Sequence, residues 1–180
     1  LDILVNNAGQ LTGGLLERQD PSEIASMFQV NLIGLVQLTR FFLPRMLGQK
    51  AGCIVNNSSV SAYMNFPAAS TYAASKAAVA AFTNSLRQEL KGTGVQTLLM
   101  VTPGVHTKMY DAIFESYSEN FDTSFLSAIP PEVWAKKVIR ALEDNQSILQ
   151  PSGSTGFSLK LAKRFPQVFE RLIARKFSRS

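Results

Sequence analysis

The chain has 180 residues, 46% of them apolar and 17% charged, which is enough for one domain with a packed core and an ordinary globular composition. No apolar run reaches the roughly 18 residues of a membrane-spanning helix, and a single cysteine, Cys53, excludes an intrachain disulfide. The net charge of +5 is uneven: residues 151–180 hold seven Lys or Arg against one acid, Glu170, a net of +6, which leaves −1 for residues 1–150 and removes the motive for reading the whole chain as a nucleic-acid binder.

The chain opens on an apolar run, with neither an initiator Met nor a signal peptide, so the natural N-terminus is expected to lie upstream. Localisation is therefore unknown from the sequence; the cytoplasm is favoured, with a membrane surface as the alternative. Ile3–Asn6 reads as a short buried strand ending in the turn-prone NNAG. Asp20-Pro21-Ser22-Glu23 is a helix start, with Asp as cap, Pro in the first turn and Glu three residues on. Ile24, Met27, Phe28, Leu32, Leu35, Leu38 and Phe42 follow at helical spacing until Gly48. Residues 53–59 (CIVNNSS) form a second strand, in which Cys53 is expected to be buried and inert. A second long helix covers 69–91 and stops near Gly92 and Gly94. A third strand covers 95–101 and is broken by Pro103-Gly104; a third helix covers 133–142; and 147–151 is a candidate fourth strand.

Strands alternating with helices predict an α/β fold, a parallel sheet with helices on both faces. Ligands bind such sheets at the carboxyl ends of the strands. The polar clusters Asn6-Asn7, Ser58-Ser59 and Thr102-Pro103-Gly104 each follow a strand, so they would meet at one edge. Tyr72 and Lys76 stand four apart on the second long helix, a spacing that puts side chains about 5–6 Å apart on one face. A cation beside a phenol lowers its pKa from about 10 and lets it exchange a proton near neutrality. Six alanines between 73 and 81 keep this helix slim, and Ser59 lies thirteen residues before Tyr72 at a strand end, where its hydroxyl could bond the same substrate oxygen.

Five ordered motifs carry a resemblance: NNAG (6–9), VNLIG (30–34), NNSS (56–59), YAASK (72–76) and TPGVHT (102–107). In order and separation they are similar to those of the short-chain dehydrogenase/reductase family, over residues 1 to about 107. The resemblance implies that Tyr72 is the general acid/base, that Tyr72 and Lys76 both bind the cofactor, and that Lys76 lowers the phenol's pKa and holds the nicotinamide ribose. It implies that Ser59, rather than Ser58, orients the substrate oxygen, and that Asn31 supports a water in a proton relay. Asn7, Ala8 and Gly9 would lie beside the adenosine half of the cofactor. Pro103, Gly104 and Val105 would run under the nicotinamide, and Thr107 would hydrogen-bond its carboxamide. The cofactor would be NAD or NADP, with NADP slightly favoured, and no metal site is expected. His106, the sole histidine, falls where the family varies freely.

The family's opening strand and glycine-rich TGxxxGxG turn do not occur here, and Gly13-Gly14 stands in the wrong place. The expected fold is thus a partial Rossmann-like doubly wound parallel sheet lacking the N-terminal glycine-rich βαβ unit, and on its own it would bind cofactor poorly. The implied function is interconversion of a secondary alcohol and a ketone. The alternative is a catalytically silent binding or scaffold protein of the same fold; a lyase or epimerase comes third. Residues 1–150 would be the dehydrogenase part. Within it a lid at 108–129 would bring Met109, Tyr110, Ile113, Phe114, Phe121 and Phe125 to join Met64, Phe66 and Pro67 around a lipophilic substrate. Residues 151–180 form a basic amphipathic tail, with an apolar stripe of Leu161, Phe165, Phe169, Leu172 and Ile173 interrupted by Pro166. Packing on the domain or on a second subunit is favoured for this tail, with peripheral membrane contact through 157–180 as the alternative. The full-length parent is expected to be a homo-oligomer, with no nucleic acid as partner.

Overall fold

The computed structural model of the protein describes residues 1–117, 120–124 and 126–179. Strand β1 (Ile3–Asn6) leads to helix α1 (Pro21–Phe28), a π turn (Gln29–Ile33) and helix α2 (Gly34–Gln49). The predicted start is built as read: the Asp20 side chain accepts from the Ser22 amide at 2.7 Å, and Pro21 fills the first turn. The expected single helix is instead interrupted, because five residues in a wider π turn swing Asn31 inward.

Strand β2 (Gly52–Ser59), helix α3 (Ser70–Glu89) and strand β3 (Val95–Thr102) fall within two residues of their expected bounds. Beyond β3 come β4 (Gly104–Val105), α4 (Lys108–Tyr117), β5 (Ala128–Ile129), α5 (Pro131–Glu143), β6 (Ile148–Leu149), α6 (Gly153–Arg164) and α7 (Pro166–Ala174). The candidate strand at 147–151 thus shrinks to two residues. β4 and β5 pair in parallel as a separate two-stranded sheet, across which the backbone before α4 meets the backbone before α5.

The main sheet is parallel throughout, in the order β1-β2-β3-β6. Its register sets Asn6 beside Asn56 and Ser59 beside Thr102, so the carboxyl ends of the three longer strands lie at one edge. Alternation along the strands splits the apolar side chains between two faces. Ile54 packs with Met46 of α2 and Leu86 and Leu90 of α3. Val55, Leu98 and Met100 pack instead against Trp134 and Ala141 of α5. Leu99 and Val101 join Leu159 and Ala162 of α6 and Phe169 and Ile173 of α7 in one cluster. Residues 151–179 are therefore docked on the rest of the chain, and their stripe is divided. Phe169 and Ile173 are buried; Phe165 and Leu172 are exposed.

A buried polar ladder laces the first face. The Asn6 amide donates to Thr39 of α2 at 3.1 Å and to Asn56 at 2.8 Å, and the Asn56 amide donates to Thr83 of α3 at 3.0 Å. Asn6, the first residue of NNAG, is thus a structural tie and not a ligand group. β1 forms one edge of the sheet and leaves Val5 54% exposed. Cys53 is half-buried, and burial raises its thiol pKa, which suits the expected inert role. Among the described residues no helix is long and apolar enough to cross a membrane.

Candidate active site

Helix α3 presents Tyr72 and Lys76 to the carboxyl edge of the sheet. Lys76 is only 3% exposed. Its Nζ donates to the Asn57 carbonyl at 3.0 Å and lies 5.9 Å from the centre of the Tyr72 ring. Burial lowers its pKa from an ordinary 10.5 to about 8. The Tyr72 phenol shifts the other way. Burial raises its pKa, and a hydrogen bond with the Ser59 hydroxyl partly offsets this. The sequence reading has Lys76 lowering that pKa. In the structure the ammonium is turned to the β2 carbonyl, and Ser59 is the group that pulls the phenol down.

The two serines at the end of β2 divide by alternation. Ser58 is 1% exposed, and its hydroxyl donates to the Lys76 carbonyl at 2.7 Å, fixing α3 against the strand. Ser59 faces the cavity and accepts from the Ser61 amide at 3.1 Å. Both serines line the cavity, and what distinguishes them is that the Ser58 hydroxyl is committed to the α3 backbone.

Asn31 is 1% exposed, so it is no solvent-facing helix residue. Its oxygen accepts from the Gln10 amide at 2.7 Å, and its Nδ2 donates to the Gln10 carbonyl at 2.9 Å and to Ser75 Oγ at 3.0 Å. Ser75 in turn donates to the Tyr72 carbonyl at 2.8 Å. Asn31 therefore clamps the chain after NNAG to the turn of α3 that carries Tyr72. The π turn is what aims it there.

A second clamp lies across the strand ends. Asn57 Nδ2 donates to Asn7 Oδ1 at 2.8 Å, and Asn57 Oδ1 accepts from Thr102 Oγ1 at 2.6 Å. One side chain thus ties the turn after β1 to β2 and β3, while its own backbone carbonyl holds Lys76. Sequence reasoning did not single out Asn57, Ser75 or Gln10. The available sign was the run of four polar residues closing β2, too many for a strand buried on both faces.

Gly104 has no room for a side chain. A Cβ there would meet the Ser127 carbonyl at 2.4 Å and the Tyr110 ring at 2.7 Å, so only glycine lets β4 pass this close. Thr107 is exposed; its hydroxyl donates to the Val105 carbonyl at 3.2 Å and accepts from the Tyr110 amide at 3.3 Å, which starts α4.

A cavity of about 1030 Å³ opens here. Asn7, Gly9, Ser59, Tyr72, Lys76, Pro103, Gly104, Val105 and Thr107 all line it; Ala8 and Asn31 do not. Its lining also includes the apolar Met64, Phe66, Met109, Ile113 and Phe121, and Tyr110, whereas Pro67 stands outside it. Phe125 and the Phe114 side chain, also read as lid residues, lie outside the described residues. Lys76 has three N–H donors and one protein acceptor, which leaves two for hydroxyls of a bound ribose. A Cβ on Gly9 would sit 3.5 Å from Lys76 Nζ, so bare backbone borders the same space. The residues present fit the nicotinamide-ribose half of a dinucleotide. No glycine-rich turn in the chain offers a cradle for the pyrophosphate.

The profile of the short chain dehydrogenase family matches residues 1–118. An uncharacterized oxidoreductase of Staphylococcus saprophyticus is 31% identical over 164 residues, covering 86% of this chain and 67% of its own. Estradiol 17-beta-dehydrogenase 11 of Pongo abelii is 30% identical over 182 residues, covering 99% of this chain and 58% of its own. The chain therefore spans about two thirds or less of the length of these relatives. Among solved structures, a short chain dehydrogenase from Burkholderia cenocepacia in complex with NADP superposes with a TM-score of 0.81 at 21% identity, over 96% of this chain and 68% of that one, a likeness of fold.

Proposed function

The chain belongs to the short-chain dehydrogenase family, and from that premise we propose that it is the catalytic and substrate-binding part of an NAD(P)-dependent oxidoreductase that interconverts a secondary alcohol and its ketone. One observation supports the reading: Ser59, Tyr72 and Lys76 line one cavity together with apolar side chains such as Met64, Phe66 and Ile113. A bound nicotinamide would supply or accept the hydride. The chain's own residues do the rest. In reduction the Tyr72 phenol gives its proton to the substrate oxygen, and in oxidation it takes that proton back. Ser59 turns its hydroxyl from Tyr72 to the same oxygen and fixes its position. Lys76 holds the ribose with the donors that Asn57 leaves free. Asn31 and Ser75 keep Tyr72 in register with the turn after β1.

The apolar lining supports a lipophilic substrate, in keeping with a relative named for estradiol. NADP is slightly favoured over NAD as the cofactor. Steady-state assays of the full-length protein on ketones of increasing chain length, with NADPH and with NADH, test the reading. Turnover that improves with chain length is expected. Bound cofactor without turnover of any ketone or secondary alcohol would overturn it in favour of a silent binding protein.

A further inference from the structure

We infer that the outer face of α6 and α7 is a docking surface for an anionic lipid bilayer. The inner faces of these helices are spent on the core: Leu159, Ala162, Phe169 and Ile173 are at most 7% exposed. The outer face carries a second apolar set. Phe157 is 71% exposed, Phe165 53%, and Val168 and Leu172 47% each. Val168 and Leu172 stand four apart on α7, three residues beyond Phe165, the non-helical hinge at the Pro166 break, and Phe157 is the exposed apolar residue of α6.

Exposed cations interleave with that apolar set. Lys160, Arg171 and Arg175 are exposed and have no carboxylate partner among the described residues, and the exposed Arg164 lies over the Phe165 ring at 5.4 Å. The other basic groups of the segment are engaged: Lys163 over the Tyr63 ring at 4.0 Å, Lys176 with Asp122, and Arg179 with Glu17. Exposed apolar side chains beside long cationic stems form the face of a helix lying in a headgroup layer, with the stems reaching outward to phosphate. The charge selects this occupant. Residues 151–180 carry a net +6, so a second copy of the same face would be repelled and an anionic surface attracted. Leu161 of α6 and Leu172 of α7 also line the cavity, so its wall reaches the docking helices. Entry of a lipophilic substrate beside them from the membrane is the one clause that rests on the proposed function.

The test is co-sedimentation of the full chain with phosphatidylcholine vesicles that contain or lack phosphatidylserine. Binding is expected only with phosphatidylserine and should weaken as salt rises. Arg171→Glu with Arg175→Glu should reduce partitioning by about tenfold or more, and Val168→Ser with Leu172→Ser should do so as well, with thermal melts unchanged. The charge-reversal pair alters exposed positions only, so it remains a valid probe if the serine pair unfolds. No binding to anionic vesicles at low salt would overturn the inference. So would binding that neither pair weakens, or a chain that self-associates through Leu172 and ignores lipid.

Discussion

The strand-end half of the molecule and the half beyond β4 are held together by different means. In the first, side-chain amides and hydroxyls fix position: the Asn6–Asn56–Thr83 ladder, the Asn31 clamp on Gln10 and Ser75, and the Asn57 tie to Asn7 and Thr102. In the second, Phe121, Leu159, Phe169 and Ile173 pack by shape, and side-chain bonds gather at the chain end, where Asn120 donates to the Ser178 carbonyl and Lys176 pairs with Asp122. Hydrogen bonds set angle and register, which suits groups that must meet a reacting atom. Apolar packing sets volume and tolerates exchange, which suits a wall that only has to receive a lipophilic body.

Replacing like with like in each half should break or sharpen that contrast. The largest effect is expected from Asn56→Leu, close in size but unable to bond. It loses the bonds to Asn6 and Thr83 and should cost about 2–3 kcal/mol in urea unfolding. Lys76→Met comes next and shows itself through pH. The folded-state pKa of Lys76, about 8, is below its ordinary 10.5, so between those values the unfolded chain holds more protons and the folded chain gains stability as pH rises. That gain is at most about 3 kcal/mol. It should be missing from unfolding curves of the methionine variant measured across the same window. In the apolar half, Leu159→Met keeps its volume and should cost less than about 1.5 kcal/mol although Leu159 is fully buried. The smallest effect belongs to Leu172→Ser on the outer face of α7, within about 0.5 kcal/mol. A Leu159→Met cost equal to that of Asn56→Leu would erase the contrast.

Legibility in the sequence follows the same division. Helix starts and strand alternation are local, so Asp20-Pro21 and β2 could be read directly. So could the spacing of Tyr72 and Lys76. The π turn could not, because it exists to bring Asn31 to Gln10, a partner 21 residues away. Asn57 is hidden inside NNSS, because its three partners come from the turn after β1, from β3 and from α3, and only the folded sheet assembles them. The two-residue strands β4 and β5 are too short to show a period. The tail's stripe was visible, but its division into a buried and an exposed face depends on where α6 and α7 dock. The direction of the Tyr72 shift was likewise beyond the sequence, since spacing shows a nearby lysine but not where its ammonium points.

The central claim is that Tyr72 transfers the proton while Lys76 and Ser59 position it. Single-turnover reduction of a ketone by Tyr72→Phe in the full-length protein, at saturating cofactor, tests this most directly. The account predicts a rate lower by about 10²–10⁴-fold with cofactor affinity unchanged. A rate within a few-fold of the native protein would contradict it.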